Sequence, residues 1–145
     1  MRQVFLDTET TGLDPNQGQI NNRQLSENQF HMYVNPERDI DAAAQEVHGI
    51  TLEFLKDKSF FKDIAEDFLS FIRGSELIIH NAPFDIGFLN MELGRMGLSN
   101  VEDHIEKVTD SLVMARELRP GQRNNLDALC RTYKVDNSLW INIHR

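Results

Sequence analysis

The chain has 145 residues, with 15 Lys+Arg against 23 Asp+Glu and a formal charge of −8. That length supports one domain with a sizeable core, and 40% hydrophobic with 26% charged residues excludes wholesale disorder. The acidic balance argues against a protein that grips duplex DNA mainly by releasing counterions from phosphates. It leaves nucleic acid open as a substrate, because carboxylates that hold divalent cations reverse the local sign.

The single cysteine, Cys130, excludes an intramolecular disulfide framework and a multi-cysteine zinc site, and it suits a reducing cytoplasm. No apolar run approaches the ~20 residues that cross a bilayer. The opening stretch MRQVFLDTETTG reaches acidic residues at once and lacks the apolar core of a secretory signal. A cytoplasmic location with no membrane contact is expected.

Val4-Phe5-Leu6 followed by Asp7-Thr8-Glu9 predicts a buried strand over 2–8. Thr11 to Asn16 is turn chemistry, punctuated by Gly12 and Pro15. Residues 19–25 are polar and weakly patterned. Residues 29–34 predict a strand stopped by Asn35-Pro36, and 40–48 a short helix. Phe61, Ile64, Ala65, Phe68, Leu69 and Ile72 recur at i, i+3, i+4, which predicts an amphipathic helix over 60–73 ended at Gly74. Leu77-Ile78-Ile79-His80 is a short apolar strand. Asn81 stands where an N-cap would, and Pro83 falls in the first turn of a helix reaching about Arg95. Phe84, Phe88, Leu89 and Met91 lie on or near its buried side. A brief strand at 107–109 and helices over 110–118 and 125–134, parted by Pro120-Gly121, complete an α/β alternation.

Residues i and i+2 of a strand share a face, ~6.6 Å apart. Asp7 and Glu9 therefore offer two carboxylates on one side of a rigid element, at the C-terminal strand edge that ligands prefer in open α/β sheets. Thr10, Thr11 and Gly12 follow, small enough to let a phosphate or sugar approach the backbone. Mg²⁺ takes oxygen ligands and few carboxylates, and two such ions ~3.5–4 Å apart can clamp a displacement at phosphorus. Two acids are too few for two ions, so a third is expected. Asp85 is the candidate: it lies in the first helical turn after a second strand, where the helix dipole favours its ionised form.

DTETTGLDP (Asp7 to Pro15) and HNAPFDIGFLN (His80 to Asn90) together resemble the first two motifs of the DEDD 3′–5′ exonucleases. VHGI (Val47 to Ile50), KVTDSLVMAR (Lys107 to Arg116) and NNLDALCRTYKVDNS (Asn124 to Ser138) extend the resemblance to the proofreading epsilon branch, which serves bacterial DNA polymerase III. The resemblance implies an RNase H-like fold, a mixed five-stranded sheet flanked by helices. It implies removal of mismatched nucleotides from a DNA 3′ end by two-metal hydrolysis with Mg²⁺ or Mn²⁺. By motif match, Asp7, Glu9 and Asp85 are the catalytic, metal-holding acids. His48 matches a histidine that contacts the terminal nucleotide; Thr10 and Asn81, with Asp7 and Glu9, border the substrate. On residue type alone, His48 reads as a surface or capping histidine, Asn81 as an N-cap and Phe84 as core packing.

Two departures accompany the match. A third motif, H-x-x-x-x-D, supplies the family's general base and fourth acid; here LWINIHR follows Ser138, and no Asp follows His144. His144 is therefore expected to be uninvolved, with an exonuclease domain over 1–138 and a divergent tail over 139–145. Between Gly18 and Gln19 the family carries about one further strand beside the Asp7 strand. Its loss is expected to truncate the sheet and leave unpaired backbone groups there. Both departures predict impaired activity. The polymerase III core subunits are the partners implied, without the tether that follows the nuclease domain in that family. Two other readings are a DEDD enzyme directed to RNA or DNA repair, and an inactive remnant that only binds.

Overall fold

The computed structural model describes residues 1–10, 20–25, 30 and 32–135. Two strands open the chain, β1 (Gln3–Thr10) and β2 (Ile20–Leu25), followed by α1 (Ala42–His48), α2 (Leu52–Leu55) and α3 (Phe61–Ile72). Then come β3 (Glu76–Ile79), α4 (Ala82–Arg95), a 3-10 turn at Val101–Asp103, β4 (Lys107–Asp110), α5 (Ser111–Leu118) and α6 (Leu126–Tyr133). The described strands form one mixed sheet in the order β2-β1-β3-β4. β1, β3 and β4 are parallel, and β2 runs antiparallel along the outer edge of β1. No helix among the described residues is long and apolar enough to cross a membrane.

Alternation along β1 turns Val4, Leu6 and Thr8 inward and Phe5, Asp7 and Glu9 to the other face. Against the inward face pack Leu77 and Ile79 of β3, Ile64, Phe68 and Ile72 of α3, and Phe88, Leu89 and Leu93 of α4. The expected periodicity of α3 holds, because all six positions of the expected pattern are buried. Gly74, at φ +64°, ends the helix in the left-handed region that glycine enters without steric cost. Phe84 is partly buried, its ring 5.1 Å from that of Phe88, as core packing requires.

Three expectations are corrected. Residues 20–25 are a strand despite their polar sequence, and β2 pairs with β1 from Phe5↔Leu25 to Thr10↔Ile20. The β1 edge is thus paired rather than bare: an edge strand draws its stability from the backbone ladder and needs no apolar alternation. The strand expected over 29–34 is reduced, in its described part, to one isolated bridge between Val34 and Ser59. There Phe30 packs on Phe68 and Phe71, at 6.1 and 5.6 Å. The described part of the mixed sheet has four strands. The Gly18–Gln19 junction, His144 and the division at 138/139 lie outside the described residues.

Glu76 fastens the three parallel strands at the end of the sheet remote from the β1 acids. It is only 7% exposed. Its Oε1 accepts from Thr109 Oγ1 at 2.6 Å and pairs with Lys107 Nζ at 2.9 Å; its Oε2 accepts from Gln3 Nε2 at 2.9 Å. The Thr109 hydroxyl, then Gln3 and Lys107, hold this carboxyl down to about 2. A depressed carboxyl stabilises the fold above its ordinary value of 4.5 and loses that contribution as pH falls towards 2. Glu76→Gln is expected to unfold at lower urea than wild type at neutral pH, with the gap closing in acid. A gap that persists unchanged in acid would assign the effect to packing.

Candidate active site

β1 outruns its parallel neighbour. Its ladder with β3 ends at Leu6↔Ile79, so Asp7, Thr8 and Glu9 stand beyond the C-terminal edge of β3 while still paired to β2. From there the chain leaves β3 through His80 and Asn81 and enters α4, whose first turn carries Asp85. Asp85 reaches back to the overhanging strand: its Oδ1 accepts from Thr8 N–H at 3.1 Å and from Thr8 Oγ1 at 2.6 Å. In effect the carboxylate takes the next β1 donor where β3 has run out.

Asp85 is 3% exposed. Burial pushes its carboxyl up to about 7; the Thr8 hydroxyl opposes the shift and the charge of Asp7 adds to it. Asp7 is thus within electrostatic reach of Asp85, and Glu9 projects from the same β1 face as Asp7. The donor set suits a hard divalent cation, which would offset both the desolvation of Asp85 and its repulsion from Asp7. Among the described residues, however, no three His, Cys, Asp or Glu side chains stand together closely enough to hold an ion. Asp85 is turned into its Thr8 bonds.

Asn81 is not an N-cap through its side chain. It sits at φ +69°, ψ 55°, with no side-chain cap bond. The cap comes from Asp110 at the end of β4: its Oδ1 accepts from Asn81 N–H at 3.1 Å and its Oδ2 from Ala82 N–H at 3.0 Å. The same carboxylate caps α5, accepting from Leu112 N–H at 2.8 Å and Val113 N–H at 3.3 Å. One side chain thereby sets the starts of two helices, including the one that carries Asp85.

His48 closes α1 and is 2% exposed, not a surface residue. Gly49 follows at φ +67°, and this left-handed step brings Ile50 N–H back to His48 Nδ1 at 3.0 Å. With Nδ1 accepting, the ring hydrogen of the neutral imidazole belongs on Nε2. Thr10 is the last residue of β1. The structure therefore brings Asp7, Glu9, Thr10, Asp85 and Asn81 to one edge of the sheet. Thr8 and Asp110 were not singled out from sequence. The alternation of β1 marks Thr8 only as inward-facing, and a polar residue at an inward position beside two acids was the available signal.

A scan of protein families matches residues 4–145 to the exonuclease family, and the chain belongs to it. Among curated proteins it is 52% identical over 148 residues to the DNA polymerase III subunit epsilon of Rickettsia prowazekii, covering 95% of this chain and 65% of that protein. It is 47% identical over 150 residues to the epsilon subunit of Haemophilus influenzae, covering 94% and 59%. The chain thus spans about two thirds or less of the length of these relatives. The aligned stretch with the Rickettsia protein, at 148 positions, exceeds this whole chain, so within it the relative carries positions that have no counterpart here. Exonuclease X in complex with 5′ overhanging duplex DNA is similar in structure, with TM-score 0.68 and 25% identity over 93% of this chain and 75% of that one. E. coli Exonuclease I in complex with a dA16 oligonucleotide superposes at TM-score 0.81, with 19% identity, over 99% and 37%. The latter likeness is one of fold, the RNase H-like exonuclease architecture.

Proposed function

We propose that this chain is the nuclease portion of an epsilon-type proofreading subunit, a 3′–5′ exodeoxyribonuclease that hydrolyses the terminal phosphodiester of a frayed or single-stranded DNA end. What carries the reading is Asp85 of α4 meeting the overhanging end of β1 between Asp7 and Glu9, in a chain 52% identical to an epsilon subunit. Asp7, Glu9 and Asp85 would hold two divalent ions, Mg²⁺ or Mn²⁺, which when bound supply Lewis-acid charge at the scissile phosphate. Thr8 fixes the Asp85 carboxyl against the strand. His48, Thr10 and Asn81 would border the terminal nucleotide. No base reading is needed for proofreading: a mismatched end costs less to unstack, by a few kcal/mol, than a paired one. The polymerase III core subunits are the partners of this reading, and the cytoplasm its location.

A second reading, a DNA-end binding module without hydrolysis, is favoured by one observation: no three-ligand cluster forms among the described residues. A 3′-mismatched primer and its paired counterpart, incubated with Mn²⁺, separate the two. The exonuclease releases nucleoside monophosphates faster from the mismatch, stops on EDTA, and cuts an RNA of the same sequence more slowly; a preference for RNA would redirect it to RNA substrates. DNA binding without release, and no Mn²⁺ uptake by titration calorimetry, would select the binding module.

A further inference from the structure

Beside the acids lies a cleft of about 550 Å³ that the mechanism above does not use. It opens where β3 passes into α4 and is lined by His80, Asn81, Arg116, Gln122, Asn124 and Asn125, among others, with no acidic residue among the described residues of its wall. Its volume falls in the range of small-ligand sites. Asn81 belongs to both the cleft and the start of the helix that carries Asp85, so the cleft adjoins the proposed site of hydrolysis.

The lining presents donors. Three of its four amide oxygens are taken internally: Gln122 Oε1 accepts from Arg119 Nη2 at 2.9 Å, Asn124 Oδ1 from Arg119 Nη1 at 3.3 Å, and Asn125 Oδ1 from Ala128 N–H at 2.8 Å, while the Asn81 amide makes no side-chain hydrogen bond among the described residues and can turn its amide hydrogens to the cleft. The nearby Asp110 carboxylate is committed to four backbone N–H groups. What remains is the Arg116 guanidinium, which has no hydrogen bond or ion pair among the described residues, and the free amide hydrogens of Gln122 and Asn125. His80 adds a further group. Its Nδ1 meets Ser111 Oγ at 3.0 Å; its buried Nε2 has no well-formed hydrogen bond among the described residues, though the ring also interacts with the Asn124 backbone. With the Ser111 hydroxyl donating to Nδ1, Nε2 carries the hydrogen. Burial lowers the affinity of the ring for a second proton, opposed by the Asn124 backbone and the Asp110 charge.

An open cleft walled by donors, with one unpaired guanidinium, suits an anion rich in oxygen. We infer that it seats a phosphodiester of the bound strand, on the polymer side of the bond to be cut, with Arg116 as the contact that carries charge. This rests on the reading of the chain as an exonuclease acting on DNA. The grip would hold the strand after each terminal nucleotide leaves, without reading sequence.

The test is binding of a 5′-labelled single-stranded oligonucleotide by fluorescence anisotropy, with Ca²⁺ in place of Mg²⁺, across a salt series. Arg116 is exposed, so Arg116→Gln is expected to fold, checked by its melting temperature. Binding should weaken several-fold and the slope of log K against log salt flatten by ~0.7, the signature of one lost phosphate contact on single strands. Arg116→Lys should keep the slope. An Arg116→Gln slope equal to wild type overturns the inference. So does an equal loss of affinity for dTMP and for the oligonucleotide with the slope unchanged, which would make the cleft a seat for the released monophosphate. A wild-type protein that binds but does not hydrolyse refutes the exonuclease reading and leaves the slope comparison valid; one that does not bind the oligonucleotide refutes both.

Discussion

Asp85→Asn is expected to melt above wild type in metal-free buffer at pH 8, while hydrolysing DNA ~10²-fold or more slowly with divalent ions present. Burial first, and the Asp7 charge after it, raise the Asp85 carboxyl from 3.8 to about 7. The folded protein therefore keeps this proton up to neutrality, whereas the unfolded chain releases it near 3.8. Stability from this group is complete below 3.8 and is lost as pH rises through 7. At pH 8 the deficit is on the order of 2–4 kcal/mol, equivalent to several °C in a chain of this size. Asn removes the charge and retains an oxygen for the two Thr8 donors, at 3.1 and 2.6 Å. The difference should vanish by about pH 3, below the ordinary value of 3.8, where the wild-type group is protonated in both states. Saturating Mn²⁺ should raise the melting temperature of wild type and leave the variant unmoved, since only a ligand of the folded state stabilises it. Melting curves that coincide at pH 8 and part in acid would contradict this account of Asp85.

Asp110→Ala is expected to cost about 2–4 kcal/mol, the loss of two helix caps at ~1–2 kcal/mol each. It would leave four N–H groups without their acceptor: Asn81 and Ala82 at the start of α4, Leu112 and Val113 at the start of α5. Burial alone would raise the Asp110 carboxyl, but the four donors together outweigh it and hold the group below its ordinary 3.8. Its stabilising share is therefore present above 3.8 and lost as pH falls through the depressed value. Asp110→Asn, which keeps one acceptor oxygen, should fall between Ala and wild type. Urea unfolding at pH 7 measures both, with an unchanged m-value showing that the unfolded state is the same. Equal stability of Asp110→Ala and wild type would mean that water serves those N–H groups as well as the carboxylate does.

What could be read in advance divides by the range of the interaction. α3 and α4 were legible because their apolar spacing is a local property of the chain. β1 was legible because the apolar run Val4-Phe5-Leu6 passes into the alternating Asp7-Thr8-Glu9. β2 was hidden, because Ile20–Leu25 is held by ladder bonds to β1, which leave no mark on side-chain type. Asn81 misled because asparagine suits both a cap and the left-handed region, and only Asp110, 29 residues on, decides between them. Asp7, Glu9 and Asp85 were legible as residue types at two strand ends. The Thr8 bond that fixes Asp85 spans 77 residues, and no local pattern encodes it. Nor does VHGI announce that His48 is buried; the glycine after it was the sole hint that the backbone doubles back.

The parallel register also sets an order of events during synthesis. β1 emerges from the ribosome first, yet its inner partner β3 begins at Glu76 and the far strand β4 at Lys107. The antiparallel pairing with β2 can form early, over a short loop. The inner ladder must wait until Glu76–Ile79 has been made. Until then Val4 and Leu6 are apolar surface without a cover, a period in which the nascent chain is open to aggregation or to chaperone capture.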